Sequence, residues 1–136
     1  MTHAIIDLQT SILSKLNADT ALISMIGNNG IFDMPPKGKS GTYMVVFRHD
    51  LLAHDFDMAP GNEHRIIFKI WHPEPNRSGV LAPAERLVLV LTGQDLSTPT
   101  LIVSTVFHQR TDSAINIKSG HASATIAFRI FSEPVV

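Results

Sequence analysis

Seven histidines are the first side chains in this sequence to weigh for chemistry. Imidazole nitrogens bind divalent metals and exchange protons near neutral pH. His49 and His54 differ by an odd step, so a strand would send them to opposite faces. His64 and His72 share strand parity, but eight residues of strand hold them ~26 Å apart, too far for one metal. No helical His-x-x-x-His and no His-Glu pairing of the zinc-protease kind occurs. The pattern favours surface or internally satisfied histidines, and neither a metal nor another cofactor is expected.

Other chemistries fare no better. Without cysteine there is no thiol nucleophile, disulfide or thiolate metal site, which suits a reducing interior such as the cytosol. No Gly-x-Ser-x-Gly elbow is present. Gly38-Lys39-Ser40 lacks the upstream glycine of a phosphate-binding loop and has Asp33 there instead. Asp55 and Asp57 fall in a connection, where paired acids are usually solvated. Arg48, Arg65, Lys69, Arg86, Arg110, Lys118 and Arg129 are scattered and offset by acids, and Phe68 and Trp71 would face opposite sides of one strand. A sequence-reading nucleic-acid domain and an enzyme are both disfavoured.

The element that would position these side chains is the central run Glu63–His72. Ile66, Phe68 and Ile70 alternate with Glu63, Arg65 and Lys69, the period of a strand with one face on a core and one towards solvent or a partner. Ile67 and Trp71 interrupt the polarity of the second face. Tyr43 to Leu52, with few polar interruptions, predicts a strand covered on both sides. Residues 53–62 between them read as a projecting hairpin arm with a turn at Pro60-Gly61, carrying Phe56 and Met58 beside Asp55 and Asp57.

An amphipathic helix is predicted over 3–16 from Ile5, Leu8, Ile12 and Leu16. A short second helix follows, capped by Asp19 and closed by Gly27. Ile31-Phe32-Asp33 can add a short strand, and the Pro/Gly-rich 34–41 is a loop. Asn76 or Ser78 can cap a third helix running to Thr92, apolar nearly all round, with Pro83 tolerated near its first turn. Leu87–Leu91 alone would also fit a strand. Strands are expected from Leu101 to Gln109 and from His121 to Phe131, with a polar, turn-rich stretch over Arg110–Ser119.

Together these predict an α+β fold: an antiparallel sheet of about four strands in α-β-β-α-β-β order, helices on one face, and projecting hairpin loops. At 136 residues, with 44% hydrophobic and 17% charged, the chain reads as one domain, 1–136, with a real core. A net charge of −1 offers no pull towards nucleic acid or an anionic membrane. No secretory signal or membrane-length apolar run is expected. From the residues alone, a ligand-binding domain and an adaptor remain open alternatives.

Four stretches carry a family resemblance. Ile31-Phe32-Asp33-Met34-Pro35-Pro36 is similar to an Ile-Tyr-Asp-x-x-Pro pattern, with Phe32 in the tyrosine position. Tyr43-Met44-Val45-Val46 resembles that family's first long strand, although Thr42 stands where a proline is usual. Glu63-His64-Arg65-Ile66-Ile67-Phe68-Lys69-Ile70-Trp71 resembles its acidic-His opening to a strand ending in tryptophan, and Ala127-Phe128-Arg129-Ile130 its closing strand. The family is the tail-completion, or tail-terminator, proteins of long-tailed bacteriophages and gene transfer agents.

The resemblance implies a virion protein assembled in the bacterial cytoplasm, without catalysis, cofactor or membrane. It implies a hexameric ring that stops the tail tube, contacts the major tail tube protein and the head–tail connector or stopper, and leaves a channel for DNA. Phe56, Met58, Trp71 and Arg110 are the residues expected at partner interfaces. Asp55 and Asp57 are expected to face the channel, where like charge would keep DNA from sticking.

Overall fold

The computed structural model describes residues 3–27, 30–34, 37–56 and 59–135, without the side chains of 54–56, 59 and 60. The core forms where the period-two faces of long strands meet helical stripes. Helix α1 (Ala4–Asn17) buries Leu8, Ile12 and Leu16, and His3 caps it by accepting a hydrogen bond from the Ile5 amide. Helix α2 (Thr20–Ile26) is capped by Asp19 and ended by Gly27 at φ +83°, a conformation that costs a side-chain-bearing residue strain. Asp19 also grips Arg86 of α3 (Ser78–Gly93) through two hydrogen bonds of 2.7 and 2.6 Å. That guanidinium holds the Asp19 carboxyl below the ordinary carboxylate range.

The ambiguous Leu87–Leu91 run is helical, within α3. Asn76 supplies the start of α3, its Oδ1 accepting from the amide and hydroxyl of Ser78. Pro83 falls inside α3 beyond the expected first turn. The helix lies close on the end of the central strand: a Cβ added at Gly79 would sit 2.4 Å from the His72 ring. Ser11 of α1 donates to the Leu96 carbonyl and fastens the segment after α3 to the first helix.

The sheet differs from the expectation. It has five strands in the order β1-β2-β3-β5-β4, formed by β1 (Ile31–Phe32), β2 (Tyr43–Phe56), β3 (Ala59–His72), β4 (Leu101–Ile115) and β5 (Ala122–Pro134). It is mixed, because β1 runs parallel to β2 while the other pairs are antiparallel. The short strand expected at Ile31-Phe32-Asp33 forms over Ile31–Phe32 and is the fifth.

Two further expectations are corrected. Pro60 and Gly61 are not the turn; they lie in β3, paired with Asp55 and His54. Proline is tolerated there because β5 reaches only to Asn62, so Pro60 sits on an edge. Arg110–Ile115 is strand rather than turn-rich, since it pairs with Ala122–Ala127 of β5. Its polarity reflects a sheet edge, where Arg110, Thr111, Asp112 and Ala114 are exposed while Ser113 and Ile115 are half-buried.

On the inner face, Met44, Ile66, Phe68, Ile70, Ala122, Ala124, Ile126, Phe128 and Ile130 pack against Leu8, Ile12, Leu16, Val80, Leu87 and Leu91 of the helices. The Phe68 and Phe128 rings meet edge to face at 5.8 Å, and burying each contributes roughly 2–3 kcal/mol. No described helix covers the outer face, so β2 is not covered on both sides as its composition suggested. Among the described residues, no helix is long and apolar enough to cross a membrane.

Candidate interaction surface

Strand parity builds the outer face: Tyr43, Val45, Arg48, Asp50 and Leu52 from β2 lie beside Trp71, Lys69, Ile67, Arg65 and Glu63 from β3. Next come Ser123, Thr125, Ala127, Arg129 and Phe131 from β5. Lacking a helix layer, these side chains order one another. Trp71 stacks on Tyr43 with ring centroids 5.6 Å apart. Lys69 places its ammonium 4.1 Å from the Phe47 centroid. Arg129 lies over Phe131, which meets Phe107 edge to face. Phe47 and Phe107 stay 55% and 49% exposed, large for rings on a folded surface.

Glu63 is the charged residue that departs most from this exposed setting. It is 1% exposed although it belongs to the uncovered side. Arg65 bonds its carboxylate at 2.7 Å, and Arg129 reaches the other oxygen at 3.0 Å. The Arg129 and Arg65 hydrogen bonds outweigh burial and hold the carboxyl down to about 2.

Behind the same strands lies a polar chain on the inner face. The Gln9 amide donates to His49 Nδ1 at 3.0 Å, His49 Nε2 to His64 Nδ1 at 2.8 Å, and His64 Nε2 to the Ser132 hydroxyl at 2.8 Å. Each ring thus accepts at Nδ1 and donates at Nε2, which leaves neither a lone pair for a metal. Burial pushes both imidazoles down to about 4, so both are neutral at pH 7. This joins α1, β2, β3 and β5 just below the projecting arm. The sequence reading expected satisfied histidines but not this pair, which meets only because the bulge after Val46 sets the β2 register.

The sheet ends in two free edges. Among the described residues no strand lies beyond β4, and β1 covers β2 only at Met44 and Val45. At the β2 edge, Arg48 and Asp50 form an exposed ion pair of 2.8 Å. At the β4 edge, Arg110 and Asp112 form another of 2.7 Å.

The site residues expected from sequence separate into three places. Trp71 sits half-buried against Tyr43 at one end of β3. Arg110 is exposed on the far edge, in β4. The arm is at the opposite end of β3 from Trp71: β2 and β3 remain paired to Phe56↔Ala59, beyond the end of β5. The backbones of Asp55 and Phe56 belong to that ladder, and their side chains, like all of Asp57 and Met58, lie outside the described residues. Sequence reasoning missed Phe47, Arg48, Asp50 and Phe107 as surface features. The repeated Arg-x-Asp was the signal that could have found two of them.

No protein-family model and no curated protein matches the sequence. Solved structures do. A chain in the virion of a native gene transfer agent particle aligns with a TM-score of 0.83 at 21% identity, over 97% of this chain and 99% of that one. The gp17 protein of bacteriophage SPP1 aligns with a TM-score of 0.62 at 17% identity, over 93% of this chain and 89% of that one. From end to end, this chain has the fold of a gene transfer agent virion component and of a bacteriophage protein.

Proposed function

We propose that this chain is a structural subunit of the neck of a phage or gene transfer agent tail, acting as a tail terminator. One observation carries the reading: the fold matches a virion chain over nearly the full length of both. The uncovered sheet face and free edges suit a protein completed by neighbours rather than by its own second layer. Copies form a hexameric ring that caps the major tail tube protein, receives the head–tail connector or stopper, and lets DNA pass without reading its sequence. Trp71, Arg110, Phe56 and Met58 serve protein contacts, and Asp55 and Asp57 face the channel. The role is structural, with no catalysis.

The ligand-binding alternative has less behind it. The cleft of ≈ 500 Å³ between α1 and the start of β4 includes Asp7, whose carboxylate already accepts from Thr100 within it. Particles made without this chain test the proposal. The expected result is tubes of irregular length and unjoined heads, with a ring in the neck restored by complementation. Normal tails and joined heads in its absence would overturn it.

A further inference from the structure

We infer that neighbouring copies of this chain join sheet edge to sheet edge, the free part of β2 pairing antiparallel with β4 of the next copy so that Arg48 faces Asp112 and Asp50 faces Arg110. The inference rests on the ring reading and supplies it with a contact.

Strand direction makes the join possible. Successive pairs β2–β3, β3–β5 and β5–β4 are all antiparallel, so β2 and β4 run in opposite directions. A second copy set beside the first in the same orientation of its outer face therefore meets β2 with an antiparallel partner. Such a join uses two different edges and repeats head to tail, as a closed ring requires.

Side-chain order then selects the register. Arg48-His49-Asp50 and Arg110-Thr111-Asp112 have the same order of charge, and both Arg and Asp project from the outer face. Laid antiparallel, each arginine meets an aspartate, the favourable cross-strand arrangement. Within the single chain each acid is held by the arginine two residues before it, with all four side chains between 45% and 74% exposed. Exchanging partners across the join keeps every charge paired.

The bulges agree with that register. Phe47 is the extra residue of β2, and β4 has two, Ser104 and Gln109; Phe47 and Gln109 each stand immediately before the arginine. Bulges and charges usually blunt a free edge. Here they leave Arg48–Phe56 and Arg110–Ile115 regular, and passing over Gln109 brings Phe107 opposite Leu52 on the same face. The half-exposed Phe107 ring gains an apolar neighbour there.

Charge exchange tests the contact. One variant carries Arg48→Asp with Asp50→Arg, a second Arg110→Asp with Asp112→Arg, and a third all four changes. Native mass spectrometry of the full chain, alone and after addition to tail tubes, reads ring formation. Each two-residue exchange should lower assembly by about tenfold or more, since like charges then oppose. The four-residue variant should restore it, and so should an equimolar mixture of the two impaired variants, which can alternate around a ring. Recovery in the mixture also shows that each variant is folded.

Assembly indifferent to the single-edge exchanges would overturn the edge pairing while leaving the ring standing. Self-pairing of β2 with β2 or of β4 with β4 would give that same result, because an exchanged edge remains complementary to itself. No recovery in either the four-residue variant or the mixture would likewise overturn it. A wild-type chain that forms no ring even on tubes would overturn the ring reading along with it.

Discussion

The two faces of one sheet are built on different principles from the same strands. Inward, Phe68 and Phe128 are fully buried under helices, and stability comes from apolar area removed from water. Outward, no described helix covers the strands, and order comes from Trp71 on Tyr43, Lys69 on Phe47, and two arginines around Glu63. A residue's parity along β3 or β5 therefore says whether it packs under the helices or lies on the uncovered side. Glu63 and the His49–His64 pair are informative exceptions, the first buried on the uncovered side and the second polar on the helical side.

The largest test of the division is Phe128→Ala, which should cost about 3–5 kcal/mol by urea unfolding, the range for emptying a packed aromatic site. A loss below ~1 kcal/mol would mean the inner face is not the core. Acid comes next. The two imidazoles titrate near 4 when folded against 6.5 when free, so the unfolded chain takes up protons first. Stability should be full above pH 6.5 and fall as pH drops towards 4, by roughly 2–3 kcal/mol for each imidazole. A flat urea midpoint from pH 7 to 4 would refute the buried pair.

Glu63→Gln should cost about 2 kcal/mol although Glu63 belongs to the outer face, because two guanidinium groups lose their carboxylate. In the wild type the same contribution is present above pH 4.5 and is lost only as pH falls towards 2. The smallest effect is expected for Phe47→Ser, within about 0.5 kcal/mol of wild type in unfolding. A large loss there would show the outer face to be part of the core after all.

What could be read from sequence was whatever repeats locally. The alternation in β3 and β5, the stripe of α1, the Asp19 cap and the Gly27 stop all state their structure within a few residues. Unreadable features were those whose partner is distant. Arg110–Ile115, Ala53–Phe56 and Ala59–Asn62 are polar or turn-like in composition, and only their paired strands make them extended. Bulges at Phe47 and Gln109 shift the parity, so that Phe107 and Arg110 share a face despite an odd spacing. Arg110 was legible as a surface residue, but its counterpart Arg48 needed the topology to put both on free edges. Of the arm, sequence foresaw the projection and misplaced the turn.

Ionic strength should act unequally on this molecule. The ion pairs at Arg48–Asp50 and Arg110–Asp112 are exposed, and at physiological salt a screening length of about 8 Å leaves such pairs weak. The buried aromatic layer is not electrostatic and is untouched by dilute electrolyte. A rise in salt would therefore relax the uncovered side of the sheet while the helical side holds its shape, so one face can answer its surroundings without unfolding the other.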